Sequence, residues 1–420
     1  MQKNDWSVVC HLNYGGKGIV STVRRRDGKS QVMALPTEVP SGLPFERRPV
    51  FLGVRNTGKA VLLDPHTQRI DESAAIPTDV SPTYAYPYVE REQLWFSNDG
   101  DEKSGNDLLH CGDKGSSVTV IDRIGAKVLK TLCIGRGHHV CTFCAPTATR
   151  PDIPLLAFVS NLLDGTLSVI GNDPSDAATY LKVLSTINLL ERDKEKDSHT
   201  DVPNNAFPHG MVFSPVTGKI YNLNNGYGTV VVIDPVSRTI EQRIGLPGCS
   251  NLLLSPDGRF ILGKGADRKS DLDHVLGKVA VIDAAQGKVV SEATLRDFYP
   301  STFRFAPDGK KLYVTSAATG KGKQKQNLDI RSIRVFDASA LPALVELPAI
   351  AVGAADCGRR PLAFTGTEDA GITVFFPNPT DGTLTRVSVA NNQVLETVRI
   401  GDTGSEEVLF SFWNGDVTGS

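Results

Sequence analysis

An all-β fold made of repeated four-stranded units is predicted by three features of the sequence. A β-branched run closing on Asp recurs along the chain. A polar turn and a second strand follow each copy. Turns of the Ser-Pro-Asp-Gly kind precede the copies, as at Ser255–Gly258 and Ala306–Gly309. The runs are Val118–Asp122, Val230–Asp234, Val279–Asp283 and Ile333–Asp337, with Leu167–Gly171 as a variant. Looser copies are Gly18–Val23, Ala60–Asp64 and Leu384–Val389. From Asp64 through Asp122, Gly171, Asp234 and Asp283 to Asp337 the steps are 58, 49, 63, 49 and 54 residues. Four-stranded blades with insertions have that period. The prediction is therefore a β-propeller, one domain over residues 1–420, with eight blades by repeat count and seven as the alternative.

Each unit reads strand by strand. An apolar strand A ends at the Pro-Asp-Gly turn. Strand B follows, as in Leu312–Ser316 or Phe158–Asn161. Strand C is the Asp-ending run, and strand D follows a short turn, as in Lys127–Leu132. Alternation and turn residues both favour strands over helices. The ends of the chain complete one unit. Glu406–Trp413 reads as a lone strand A, and Trp6–Asn13, Gly18–Val23 and Ser30–Leu35 read as its missing B, C and D. Pairing the termini in one blade closes the ring and removes open sheet edges. Residues Pro36–Arg48 make a poor strand A, which keeps the seven-blade alternative open.

With Leu312–Ser316 and the Asp164–Ile170 run, the chain resembles the YVTN family of propellers over nearly its whole length. That resemblance implies the fold and is nearly silent on function, because the family holds both enzymes and binding scaffolds.

Composition excludes some partners. The net charge is −2 and no basic block occurs, so bulk attraction to nucleic acid or anionic membrane is not expected. No apolar run is long enough for a membrane-spanning helix. No apolar segment follows Met1–Trp6, which reads as a cytoplasmic chain or a periplasmic one whose signal was removed. Seven cysteines are an odd number, which favours reduced thiols. Cys141 and Cys144 lie three apart in an apolar strand, face opposite sides of the sheet, and read as core thiols.

The histidines point to one face. Strand A lines the central channel of a propeller, and the D–A and B–C loops share one face with its start. The long insertions Asp99–Ser116, Glu191–Ala206, Lys264–Gly277 and Gly320–Ile330 all fall there, the Lys-rich Gly320–Lys325 stretch reading as a mobile solvated loop. His110, His199 and His274 lie in these loops, and His138, His139 and His209 at the starts of strand A. Aligning Phe143 with Phe213 makes His139 and His209 equivalent, with Ser250, Ser301, Arg360 and Glu406 at the matching places later. Arg47–Pro49 echoes Arg359–Pro361. Such a polar, convergent mouth suits a small, anionic ligand.

The His138–His139 pair followed by Pro208–Gly210 resembles the copper propeller enzymes of the nitrous oxide reductase and thiocyanate dehydrogenase type. That resemblance implies redox chemistry on a small molecule, with His138, His139 and His209 as metal-side residues. Those clusters use further histidines where this chain has Ser250, Ser301, Arg360 and Glu406, so a mononuclear site helped by Glu406 or a loop histidine is the form expected. Candidate catalytic groups are His138 and Glu406, a histidine serving as general acid or base. The chain also resembles propellers that carry d-type haem. That second resemblance implies a tetrapyrrole with a histidine as axial ligand and with Arg48 and Arg360 on its carboxylates. The expectation is a copper- or haem-dependent oxidoreductase. The alternative is a non-catalytic scaffold that binds a protein or glycan partner through its loop-rich face.

Overall fold

The structure is a computed structural model. It describes the backbone of residues 6–12, 17–24, 30–38, 50–54, 59–64, 69–77, 82–98, 111, 115–122, 125–195, 201–365, 371–399, 407–412 and 417–418. Side chains are described from residue 84 to 399 of these, except 89, 138, 139 and 365.

Strands dominate, and six four-stranded antiparallel sheets follow one another along the chain from Pro82 to Arg399. This is the architecture of a β-propeller. The Asp-ending runs are indeed third strands, at Ser117–Asp122, Thr229–Asp234, Leu276–Asp283 and Ser332–Asp337. Two further sheets precede and flank these. Val50–Val54, Lys59–Asp64 and Arg69–Pro77 form a three-stranded sheet, which matches strands B, C and D of a unit. Trp6–Leu12, Lys17–Arg24 and Ser30–Glu38 form the other with Glu407–Phe412 and Val417–Thr418. Within it Glu407–Phe412 runs parallel to Trp6–Leu12, with Ser7 opposite Glu407.

Hydrophobic burial explains the order of strands. Leu156–Asn161 and Thr166–Gly171 are buried at every residue, whereas the fourth strand, Val183–Asn188, is largely exposed. Inner strands are covered on both faces because consecutive sheets pack face to face. One cluster joins Phe158, Leu167 and Val169 to Met211, Ile220 and Val231 of the next sheet. The following one joins Tyr221 and Val230 to Leu252, Ile261 and Ala280. Cys141 and Cys144 fall in different clusters, on opposite faces of one sheet, as their spacing predicts.

A repeated asparagine closes the inner strands. Asn98, Asn161 and Asn378 each end a second strand and donate from Nδ2 to two hydroxyls of the third, at 2.8–3.0 Å. Buried polar side chains need such partners.

Two expectations about loops and thiols are corrected. The Gly320–Lys325 stretch, read as a mobile solvated loop, exposes its lysines but is pinned at Gln324. The Gly320–Ile330 insertion carries a short helix, Lys323–Asn327, whose buried Gln324 donates to the Arg268 and Asp271 carbonyls of the neighbouring sheet's loop. Cys111 and Cys133 form a disulfide, so an odd cysteine count did not mean reduced thiols throughout. Among the described residues no helix is long and apolar enough to cross a membrane.

Candidate functional site

The first strands of five of the six four-stranded sheets start with the same irregularity. The antiparallel register slips between Pro82 and Tyr84, His138 and Cys141, Pro208 and Gly210, Cys249 and Asn251, and Pro300 and Phe303. A bulge re-aims the side chains it carries. His139, His209, Ser250 and Ser301 all sit within these slips, which is the equivalence the sequence alignment gave. Adjacent copies are hydrogen-bonded. His209 Nδ1 donates to the Ser250 carbonyl, and the Arg360 N–H donates to Ser301 Oγ at 3.0 Å. A carbonyl only accepts, so His209 carries its proton on Nδ1 and its lone pair on Nε2.

Four cationic or ionisable nitrogen groups gather here: His209, Lys264, Arg304 and Arg359. Burial pushes the His209 imidazole down to about 4. The Ser250 carbonyl opposes this, and the charges of Lys264 and Arg359 add to it. Burial likewise pushes the Lys264 ammonium down to about 7, with Arg359 adding repulsion. Arg304 is lowered to about 10 by burial and by Arg359. Both side chains keep some accessible surface while protein surrounds them closely. Among the described residues, no carboxylate figures among the charges that act on any of the three. Lys264 Nζ donates to the Pro300 carbonyl at 3.3 Å and lies 6.0 Å from the Phe303 ring centre. Arg304 Nε is buried with no hydrogen-bond partner. Tyr86 borders the same space, and Arg359 acts on its hydroxyl too.

Local sequence explains the seat of Lys264. It stands between Gly263 and Gly265 in the strand Phe260–Asp267. A Cβ on Gly265 would meet the Gly248 carbonyl oxygen at 1.9 Å, and one on Gly263 would meet Leu246 at 2.7 Å. The two glycines let this strand press against its neighbours on one face while Lys264 projects from the other, toward Pro300. A separate cavity of about 890 Å³ is lined by Ser250, Asp267, Arg268, Lys278, Glu292 and Tyr299 among others, and by none of the four clustered groups. Arg268 stacks over the Tyr299 ring at 5.5 Å.

The predicted site residues divide. His209 is in the cluster. Arg360 is not available to a ligand, which corrects the expectation that it faces the mouth. It is 0 % exposed, and its guanidinium donates to the Pro377, Ile330 and Gly353 carbonyls at 2.9, 3.3 and 2.8 Å and to Asn378 Oδ1. Its neighbour Arg359 is the exposed one and acts on the cluster. The backbone places His138 and His139 at the start of their strand, but their side chains lie outside the described residues. So do Arg48 and Glu406, and His110 and His199 in the loops. His274 bonds through Nδ1 to Asp297 at 2.7 Å, on the loop between Asp267 and Leu276. Among the described residues, no three His, Cys, Asp or Glu side chains converge as metal ligands.

Sequence reasoning missed Lys264 and Arg304. The signal was present: each is a lone cation inside an apolar strand, Lys264 after Phe260–Gly263 and Arg304 between Phe303 and Phe305.

No protein-family model matches the sequence, and no curated protein matches it. Solved structures do. A putative 6-phosphogluconolactonase from Bacteroides uniformis is 16% identical, with TM-score 0.53 over 85% of this chain and 97% of that one. A functionally unknown protein from Desulfotomaculum acetoxidans is 12% identical, with TM-score 0.52 over 86% and 97%. Dihydro-heme d1 dehydrogenase NirN in complex with DHE is 12% identical, with TM-score 0.45 over 86% and 75%. At these identities the likenesses bear on the fold alone.

Proposed function

We propose that the chain binds a small, multiply anionic molecule at the mouth of a channel, reading the eight sheets as eight blades around it. One observation carries this. Arg359 acts on Lys264, on Arg304 and on a neutral histidine, and among the described residues no carboxylate pairs with Lys264 or Arg304. Burying charge without a partner is costly, so a cluster of this kind is stabilised by a ligand that brings the missing negative charge. Two guanidiniums suit carboxylates or phosphates, which they bind in a fork.

The same test separates the two cofactors expected from the sequence. Of the copper set expected from the sequence, His138, His139, His209 and Glu406, only His209 has a described side chain, and the cations that act on it would repel a divalent ion. An anionic tetrapyrrole suits the cluster better: Arg359 and Arg304 would take the carboxylates, and the bound group would supply one-electron chemistry. The redox expectation is kept in that form.

Calorimetric titration with citrate at pH 6 tests the anion site. One saturable site per chain is expected, weakened by Arg359→Ala. Absence of saturable binding overturns the proposal. A haemin titration followed by absorbance tests the second reading: a spectral change lost in Arg359→Ala supports it, and no change removes it. Failure of both would favour the scaffold that binds a protein or glycan through its loops.

A further inference from the structure

The separate cavity runs across a whole sheet. Ser250 belongs to the first strand of that sheet, Ala266 to the second, Gly277 and Lys278 to the third, and Glu292 and Thr294 to the fourth, and all of them line the cavity. These strands lie side by side in that order, so the cavity is a groove about 14 Å long at the usual strand spacing.

Two insertions build one wall of it. Arg268 and Lys269 come from the loop after the second strand of this sheet, and Lys321 and Gln324 from the corresponding loop of the next sheet. The loops interlock. Gln324 Nε2 donates to the Arg268 carbonyl at 3.1 Å and to the Asp271 carbonyl at 2.6 Å, and Asn327 Nδ2 to the Asp273 carbonyl at 3.0 Å. The Gln324 N–H donates to the Lys321 carbonyl at 3.1 Å, so Arg268 and Lys321 are tied to one buried residue. Ordering a loop costs entropy, and this wall is ordered before anything binds.

Charge along the groove is uneven. Glu292 pairs with Lys278 at 2.6 Å. The Asp267 carboxylate accepts from the Lys269 and Ser270 N–H groups and from the Ser270 hydroxyl, and the Lys269 charge acts on it too. Arg268 and Lys321 have no carboxylate partner among the described residues. Lys323 and Lys325, on the same insertion as Lys321, pair outside the cavity with Asp273 and Asp356 at 3.3 and 3.1 Å. Arg268 lies over the Tyr299 ring at 5.5 Å. Stacking fixes a guanidinium and leaves its in-plane N–H groups for a carboxylate.

We propose that this groove takes an extended acidic segment of a partner protein, with Arg268 and Lys321 each receiving a carboxylate. The inference stands apart from the anion site, because none of the four groups of that site lines this cavity. A span of about 14 Å holds roughly four extended residues. A small anion would leave most of the 890 Å³ empty. Stacking a sugar needs an open aromatic face, and Arg268 covers one face of Tyr299, the aromatic ring among the lining residues.

The test titrates the whole chain into fluorescein-labelled tetraglutamate amide at low ionic strength and reads fluorescence anisotropy. One saturable site per chain is expected, weakened about tenfold by Arg268→Ala and by Lys321→Glu. Lys325→Ala should change the affinity less than about twofold. Thermal melting shows whether each variant is folded, and the second variant keeps the test valid should the first disturb its loop. Absence of saturable binding overturns the proposal. Equal weakening by Lys325→Ala also overturns it, since that would mean diffuse attraction of charge. Binding of trigalacturonate without binding of the peptide would make the groove a glycan site and overturn the peptide reading. Peptide binding lost in Arg359→Ala and kept in Arg268→Ala would move the segment to the anion site and overturn the groove.

Discussion

Arg359 and Arg360 are adjacent in sequence and opposite in circumstance. Arg360 is sealed within the sheet and satisfied by four oxygen acceptors from three segments of chain. Arg359 is exposed, acts on Lys264, and has no ion pair among the described residues. The contrast extends across the molecule. Asp234, 7 % exposed, is matched by Lys219 at 2.6 Å, Arg150 at 3.1 Å and the backbone N–H groups of Val236 and Ser237. These partners hold its carboxyl well below the usual carboxylate range against the opposing effect of burial. Buried charge that is fully paired holds sheets together. Buried charge left unpaired weakens the empty fold, and that cost has an explanation if a ligand completes it.

The largest effect expected from this contrast is at Arg360. Replacing it with Met leaves the Pro377, Ile330 and Gly353 carbonyls without a donor, and should cost about 3–5 kcal/mol in urea unfolding. Arg359→Ala should change stability by no more than ~0.5 kcal/mol. Similar losses at both positions would break the distinction.

Asp234→Asn comes next, at about 1–3 kcal/mol. Its sign with pH is fixed by the lowered carboxyl. The folded chain binds fewer protons than the unfolded one as pH falls through the unfolded value near ~3.9. The contribution is therefore present above that value and lost progressively below it. Acid unfolding of the Asn variant should show a shallower fall in stability over that range than the unaltered chain. An identical acid limb would mean the pairing carries no stability.

Lys264 gives the same slope for the opposite reason: its charge costs stability where that of Asp234 adds it. Its folded value, about 7, lies below the unfolded value near ~10.4. Between these the unfolded chain binds more protons, so this residue makes stability rise with pH, and its full cost is felt below pH ~7. Citrate should bind roughly three- to tenfold more tightly at pH 6 than at pH 8.5, because the site gains a charge. Affinity that does not change with pH would remove Lys264 from the site.

The fold was legible in the sequence wherever a strand ended on a sharp chemical signal. Thr229–Asp234 and Ser332–Asp337 end on the Asp that the repeat marks, and Ser255–Gly258 is the turn it suggests. The site was less legible because its geometry depends on bulges. An alternation rule cannot say which of two adjacent arginines turns outward when the register slips nearby. Histidines drew the sequence reading to the starts of the first strands, whereas Lys264 lies on a second strand and Arg304 deeper on a first. The Cys111–Cys133 pairing had no local signal, since it joins a loop to a strand 22 residues away. Closing a loop of that length is worth about 3 kcal/mol in the chain-entropy account.

The most direct measurement is thermal melting of the unaltered chain and Lys264→Met at pH 6, each with and without citrate. An unpaired, ligand-seeking cation predicts a higher melting temperature for the variant without citrate, by about 1–2 kcal/mol of added stability. It also predicts that citrate raises the unaltered chain by mass action and the variant much less. A variant that melts lower without citrate, or that gains as much from citrate as the unaltered chain, would contradict the account.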